Sequence, residues 1–198
     1  MPKSPSGTMD AMQVVSVNTA RVEHFVATNG QTLDSAIRKR PRVGPVAVGP
    51  LGLAGDEQAD LSVHGGLAKA VYAYPQEHYA FWTTVRGQAK VEGALQPGDI
   101  GENLTLSGLQ EGKVWLGDVL RFADCELVVS EPRYPCFKFS AHMGFGQAAK
   151  LMAQSCYCGF YLAVRREGTI AAGEAFELLP GPREVGVVEL FKAKMKKP

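Results

Sequence analysis

Apolar residues in this chain come in short runs, and Gly or Pro cuts nearly every one, a pattern of strands joined by tight turns. The first run, Met12-Gln13-Val14-Val15-Ser16-Val17, marks where a core begins after a Ser/Pro/Gly-rich lead-in. From Val43 to Gly55 short β-type pieces are divided by Gly and Pro, as at bulges or corners. Further strands are predicted at Ala70–Tyr74, Asn103–Leu106, Val119–Phe122, Glu126–Ser130, Gly159–Val164, Phe176–Leu179 and Val185–Leu190. Two helices interrupt them. Pro75 at a first helical position opens Gln76–Arg86, where Tyr79, Trp82 and Thr83 share a face with Val85 nearby. Gly146–Gln154 carries Ala148, Leu151 and Met152 and stops before Cys156.

The 22 Gly and 12 Pro demand many special backbone angles, as a strongly bent or closed sheet does. The expected fold is therefore mainly β with a few short helices, a barrel rather than an open sandwich. At 198 residues the chain has room for one substantial core. The division is a flexible N-terminal segment (1–11), one domain (12–190) and a basic C-terminal tail (191–198).

Charge narrows the function classes. With 21 basic and 20 acidic residues the net charge is +1, so nothing global points to a nucleic-acid polymer or an anionic membrane, and any anion recognition must be local. No apolar run has signal-peptide or membrane-spanning length, which gives a cytoplasmic expectation. The four cysteines, Cys125, Cys136, Cys156 and Cys158, are read as reduced thiols.

Glu131-Pro132-Arg133-Tyr134-Pro135-Cys136-Phe137-Lys138 brackets one cysteine with two prolines and two cations. Prolines fix φ and remove donors, so Cys136 is expected on a stiff loop, neither helix interior nor central strand. Nearby Arg133 and Lys138 would favour a thiolate, the form that attacks electrophiles and binds soft metals. A small buried residue is the competing use of Cys136. Cys156-Tyr157-Cys158 lacks the second ligand pair of a structural zinc site, and Cys125 reads as a half-buried structural thiol.

Two other stretches carry candidate chemistry. Gly55-Asp56-Glu57-Gln58 precedes Val63-His64-Gly65-Gly66-Leu67-Ala68-Lys69, where paired glycines bring backbone N–H groups close to an anion and His64 and Lys69 add donors. On the residues alone, the commoner use of Gly65-Gly66 is a hairpin turn with His64 bonded to a nearby carbonyl. Pro97-Gly98-Asp99-Ile100-Gly101-Glu102-Asn103-Leu104 offers acidic and amide groups that orient a polar heterocycle, or a polar turn before a strand.

Taken in order, these blocks, together with Val114-Trp115-Leu116-Gly117-Asp118-Val119-Leu120, resemble the MOSC family, the molybdenum cofactor sulfurase C-terminal domain, and within it the bacterial YiiM-like branch. The resemblance spans about residues 12–190, and the Pro-Arg-x-Pro-Cys block is its most distinctive part. It implies a closed or partly open β-barrel that binds molybdenum as Mo-molybdopterin, with Cys136 as catalytic residue and metal ligand. Arg133, His64, Gly65, Gly66 and Lys69 become cofactor contacts, and Glu102 and Asn103 orient the cofactor.

The implied activity is reduction of small N-hydroxylated compounds, such as the toxic base analogue hydroxylaminopurine, a detoxification independent of pyridoxal phosphate. No flavin, nicotinamide or iron–sulfur signature is present, so a separate electron-donating redox protein is implied. Members of this branch usually continue into a small helical C-terminal domain, whereas this sequence ends at Pro198. Two further readings remain beside it. One is a molybdopterin or sulfur carrier that uses Cys136 without turnover. The other is a cysteine hydrolase or transferase with Cys136 as nucleophile and His64 or His142 as base.

Overall fold

A computed structural model describes residues 11–26, 30, 32–58 and 65–196. The strands are β1 (Gln13–Thr19), β2 (Glu23–Val26), β3 (Thr32–Ser35), β4 (Arg40–Pro41), β5 (Val46–Gly49), β6 (Gly52–Leu53), β7 (Val71–Pro75), β8 (Leu104–Ser107), β9 (Val119–Arg121), β10 (Glu126–Pro132), β11 (Phe160–Arg166), β12 (Gly168–Ile170) and β13 (Glu177–Leu179). The α-helices are α1 (Tyr79–Gln88), α2 (Phe137–Met143), α3 (Ala148–Ser155) and α4 (Val187–Met195).

Eight strands form one sheet in the order β13-β9-β10-β11-β7-β8-β1-β4, antiparallel except for the parallel pair β7–β8. A parallel pair needs a crossover, and α1 lies within it. The sheet bends back on itself through bulges in β1 and β10, which raise local twist. Its ends are then stitched: Val14 N donates to Glu174 O (2.9 Å), Phe176 N to Met12 O (3.1 Å) and Gly173 N to Val14 O (2.8 Å). The result is mainly β and barrel-like, without a fully closed sheet. Smaller sheets, β12-β5-β6 and β2-β3, flank it.

Inward-facing Val14, Val17, Leu104, Leu106, Leu127 and Leu162 fill the sheet's concave side, each fully buried. Trp82 of α1 closes one end against the edge of Phe139 (5.4 Å between centroids). Gly159 permits the tight β7–β11 approach, since at its φ of 64° a Cβ would sit 2.4 Å from Ala73 O. Any side chain there collides with backbone that cannot yield.

Most predicted strands and both predicted helices match observed elements within a few residues. On α1, however, Trp82 is buried whereas Thr83 faces solvent. The strand read at Val185–Leu190 is corrected. Extended pairing lasts only through Gly186, which bridges Trp115, and Val187 then begins α4. This helix runs to Met195, so the stretch read as a basic tail starts with fully buried Phe191 and helical Lys192 and Lys194. Burying one such ring is worth about 1.5–3 kcal/mol, enough to override the β-branched signal of Val187-Val188. Helix α2 and the hairpin β2–β3 carry no reading from sequence. The lead-in over residues 1–10 and His64 lie outside the described residues. No helix among the described residues is long and apolar enough to cross a membrane.

Candidate functional site

The segment that holds Cys136 is built by its prolines. Pro132 is the last residue of β10, paired with Phe160 on β11, so the strand extends one turn-forming residue further than its proline suggests. Residues 133–135 then form a short loop, and Cys136 caps α2 in extended conformation (φ −128°, ψ 167°). Behind the loop, α4 supplies a brace: the Tyr134 ring stacks parallel to Phe191 at 5.8 Å, and Lys194 Nζ lies 4.7 Å from the same ring centre.

Cys136 opens onto a cleft of about 690 Å³, its solvent mouth included. Arg133, Lys69 and Tyr161 share this cleft with it, as do Lys39, Asp56 and Asn103. Two more groups at the wall, Lys138 and Glu57, bring the charged side chains to four cations and two carboxylates.

Arg133 is the most telling of these. It is buried, its guanidinium lies 4.5 Å from the Phe139 ring centre and 5.5 Å from that of Tyr72, and Nη1 donates to Met152 Sδ at 3.2 Å. Among the described residues no carboxylate reaches it within ion-pair distance. Burial works to lower its pKa, but facing Tyr72, Cys136 and Tyr161 reverse the direction, and the group remains a cation. Burial likewise raises the Tyr161 hydroxyl, against the pull of Arg133. A buried cation with ring faces, sulfur and the Tyr161 hydroxyl for company lacks, among the described residues, the carboxylate counter-charge such a group ordinarily requires.

Lys69 lies 3.8 Å from Glu131 and 5.9 Å from the Tyr161 ring centre. The paired glycines are less open than a phosphate cradle would be. Gly66 takes φ 87°, and its N–H is already spent on Gln58 Oε1 (3.0 Å), while its carbonyl accepts from Lys69 N (3.0 Å). Gln58 also donates to Leu51 O (3.1 Å) and Lys69 O (3.4 Å), so it staples this turn to the cleft wall. Gly65 is half-buried beside it.

Glu102 and Asn103 face different ways. Asn103 borders the cleft, but its amide is saturated: Oδ1 accepts from Tyr72 N (3.0 Å), and Nδ2 donates to Asn18 O (3.2 Å) and Asp56 Oδ2 (2.8 Å). Glu102 is fully buried away from the cleft, accepting from Gly98 N (2.8 Å), Ile100 N (3.1 Å), Thr105 Oγ1 (2.7 Å) and the Tyr79 hydroxyl. Burial pushes its pKa up despite those donors. The pair therefore shapes the wall instead of presenting free groups to a ligand.

Sequence reasoning missed Lys39. Its Nζ donates to both oxygens of Asp56, at 2.6 and 2.8 Å, and both side chains are buried. Asp56 Oδ1 additionally accepts from Ala20 N at 2.8 Å. Gly98, at φ 95°, lets this segment close in, because a Cβ there would lie 2.9 Å from Lys39 O. The only signal available in sequence was a basic Arg-Lys-Arg-Pro run, which reads as surface charge.

The other thiols stand apart. Cys125, Cys156 and Cys158 are buried, all four cysteines are reduced thiols, and burial pushes the Cys125 thiol up to about 12, as befits a structural residue. His142 does not line the cleft. Its Nε2 pairs with Asp99 O at 2.9 Å and burial lowers its pKa, so it is placed as a packing residue of α2 and not as a base for Cys136.

Among the described residues no group of three or more His, Cys, Asp or Glu could hold a metal ion. A metal at Cys136 would therefore take one protein sulfur and bring its other ligands with it. A model of the MOSC domain matches residues 60–177, which include the Cys136 loop and about half of the cleft wall. The chain belongs to the MOSC family. YiiM of Escherichia coli is 37% identical over 155 residues, covering 78% of this chain and 68% of that protein. The crystal structure of YiiM from Geobacillus stearothermophilus superposes with a TM-score of 0.75 at 30% identity, over 93% of this chain and 84% of that one. These make the chain a YiiM-like MOSC protein. A protein named "Reductase" from Gibberella moniliformis is 36% identical over 155 residues, 77% of this chain but 27% of its own length.

Proposed function

We propose that the cleft holds a molybdenum–molybdopterin group through Cys136, and that the loaded protein reduces small N-hydroxylated compounds, hydroxylaminopurine-type base analogues among them. The observation that carries this reading is that a soft thiol and a buried guanidinium, with no acid partner among the described residues, share one cleft. A pterin dithiolene brings two sulfurs of its own, which suits a site whose protein offers one. The group would supply two-electron chemistry at the metal. Support also comes from the MOSC match and from a relative named as a reductase.

The chain's own residues then divide the work. Cys136 Sγ fixes the metal. Arg133 and Lys69 neutralise the anionic phosphate or oxygen-rich edge of the pterin. Gln58 and Asn103 hold the wall in place, and Tyr72 and Tyr161 exclude water from one side. Electrons come from a separate redox protein, and the setting is cytoplasmic.

The test is elemental and pterin analysis of protein freshly purified from a host that makes the cofactor, with turnover assayed using reduced viologen. About one molybdenum and one pterin per chain are expected, and Cys136→Ser should lose more than about nine-tenths of the metal and all measurable reduction. Unchanged metal content in that variant would remove Cys136 as ligand. Bound cofactor without turnover would make the protein a carrier.

A further inference from the structure

Reduction of an N–OH group consumes two protons along with two electrons, and the residues assigned above supply neither proton. Ionisable groups in the cleft are few enough to compare. Arg133 does not release its proton in any accessible range. Burial raises the pKa of both Tyr72 and Tyr161, and the Tyr72 hydroxyl already donates to Cys158 O at 2.8 Å. Lys138, bonded to Asp34 O (2.8 Å), and Lys69, 3.8 Å from Glu131, are both less buried than Lys39. Glu57 accepts from Val22 N at 2.7 Å. Lys39 differs from all of these. It lines the cleft, its side chain is 8% exposed, and a single carboxylate grips its ammonium from both oxygens.

We propose that Lys39 is the proton donor of the cleft, giving a proton from Nζ to the departing hydroxyl oxygen of the substrate while Asp56 holds the amine in position. This rests on the reading of the cleft as a reducing site. In the step the N–O bond breaks. Two electrons, which the bound group would supply and the external reductant would replenish, would end on nitrogen, and the N–O pair would leave with oxygen. Oxygen takes the Lys39 proton and departs as water, nitrogen takes a second proton from solvent, and Lys39 regains its own from solvent at the mouth.

The surroundings suit that work. Asp56 is anchored by Ala20 N and by Asn103 Nδ2, so it cannot follow the ammonium away, and it favours return of the proton. The charged groups facing Lys39 are Asp56 and, through the wall, Glu102, with Arg38 and Arg40 as chain neighbours. Burial lowers the Lys39 pKa, with Asp56 opposing, and so moves the ammonium toward the range in which a general acid is effective.

Lys39→Arg separates this role from a structural one. Arginine keeps the charge and the pairing with Asp56 but cannot give up a proton. With reduced viologen as electron source, kcat of K39R should fall by about 100-fold, with KM and molybdenum content within about twofold of wild type. Its pH profile should lose the alkaline limb, on which wild-type kcat falls as Lys39 deprotonates. Should K39R fail to fold, the neutral pair K39Q/D56N carries the same expectation. In metal-free protein, the Lys39 ammonium followed by NMR should titrate below the ordinary lysine value of about 10.4. K39R with kcat within about twofold of wild type, or a midpoint at or above the ordinary value, overturns the assignment. Molybdenum-loaded wild type that reduces no N-hydroxy compound would sink the reading of the cleft and this role together, whereas full activity in K39R sinks Lys39 alone.

Discussion

Glu102 and Arg133 are both ionisable side chains withdrawn from water, and their surroundings are opposite in kind. Glu102 receives four hydrogen bonds, two of them from backbone N–H groups of the turn that carries it, and nothing about it faces open space. Arg133 has a thioether, two ring faces and the Tyr161 hydroxyl, with no carboxylate among the described residues, and it borders a cleft that solvent can enter. Burial alone thus does not distinguish a site from a scaffold. What separates them is whether the fold completes the group's interactions or leaves that to something outside it.

The contrast can be broken by substitution, and the largest effect should be at Arg133. Arg133→Met should lower molybdenum and pterin content at least tenfold, yet shift the urea midpoint by less than about 1 kcal/mol of stability, because the charge it removes has no acid partner to orphan. A large loss of stability with retained cofactor would make Arg133 a scaffold residue like Glu102.

Glu102→Ala should do the reverse, costing about 3 kcal/mol in urea unfolding through the donors it orphans, with cofactor per folded molecule unchanged. Its raised pKa adds a pH signature. The protonated form is the one burial favours, so that contribution is complete below the ordinary carboxyl range, about pH 4, and fades as pH rises through the folded-state value. The gap between wild type and E102A should therefore be widest in acid and narrow toward neutrality; a gap that widens with pH would reverse the sign assigned to this residue.

The smallest effect belongs to Tyr134, whose hydroxyl is buried without a hydrogen-bond partner among the described residues. Tyr134→Phe should leave stability unchanged or raise it by up to about 1 kcal/mol, with molybdenum content intact, since the stack on Phe191 needs only the ring. A clear loss in either measurement would show that the hydroxyl has a partner in the loaded protein.

Much of the sheet was legible because its strands carry their own punctuation. Val14 and Val17, Leu104 and Leu106, and Leu127 and Val129 alternate or cluster between Gly, Pro and Asp, and burial follows the pattern. The stretch after Gly186 was not, because Val187 and Val188 look like strand, and the burial of Val187 and Phe191 on one helical face is visible only in the fold. Helix α2 was hidden by the prolines, which stiffen the approach to Cys136 and then release the chain at Phe137. In the cleft, motif residues such as Arg133 and Lys69 could be picked out, but a sequence does not say that Gly66 N is spent on Gln58 or that Glu102 points inward. Lys39 was illegible for the same reason: its partner Asp56 lies 17 positions away, and only the folded chain brings them together.

The seam between β1 and residues 173–176 sets an order of events. Its hydrogen bonds join positions about 160 residues apart, among the most distant contacts the chain can make, and contacts of that span are entropically slow to form. The cleft draws on segments from Ser35 to Tyr161, so its walls depend on nearly the whole strand order being in place. A cofactor that needs those walls has no partial version of them to meet on an emerging chain. On the proposed reading, loading is then a late event in the life of the molecule, delivered to the finished fold through the mouth of the cleft.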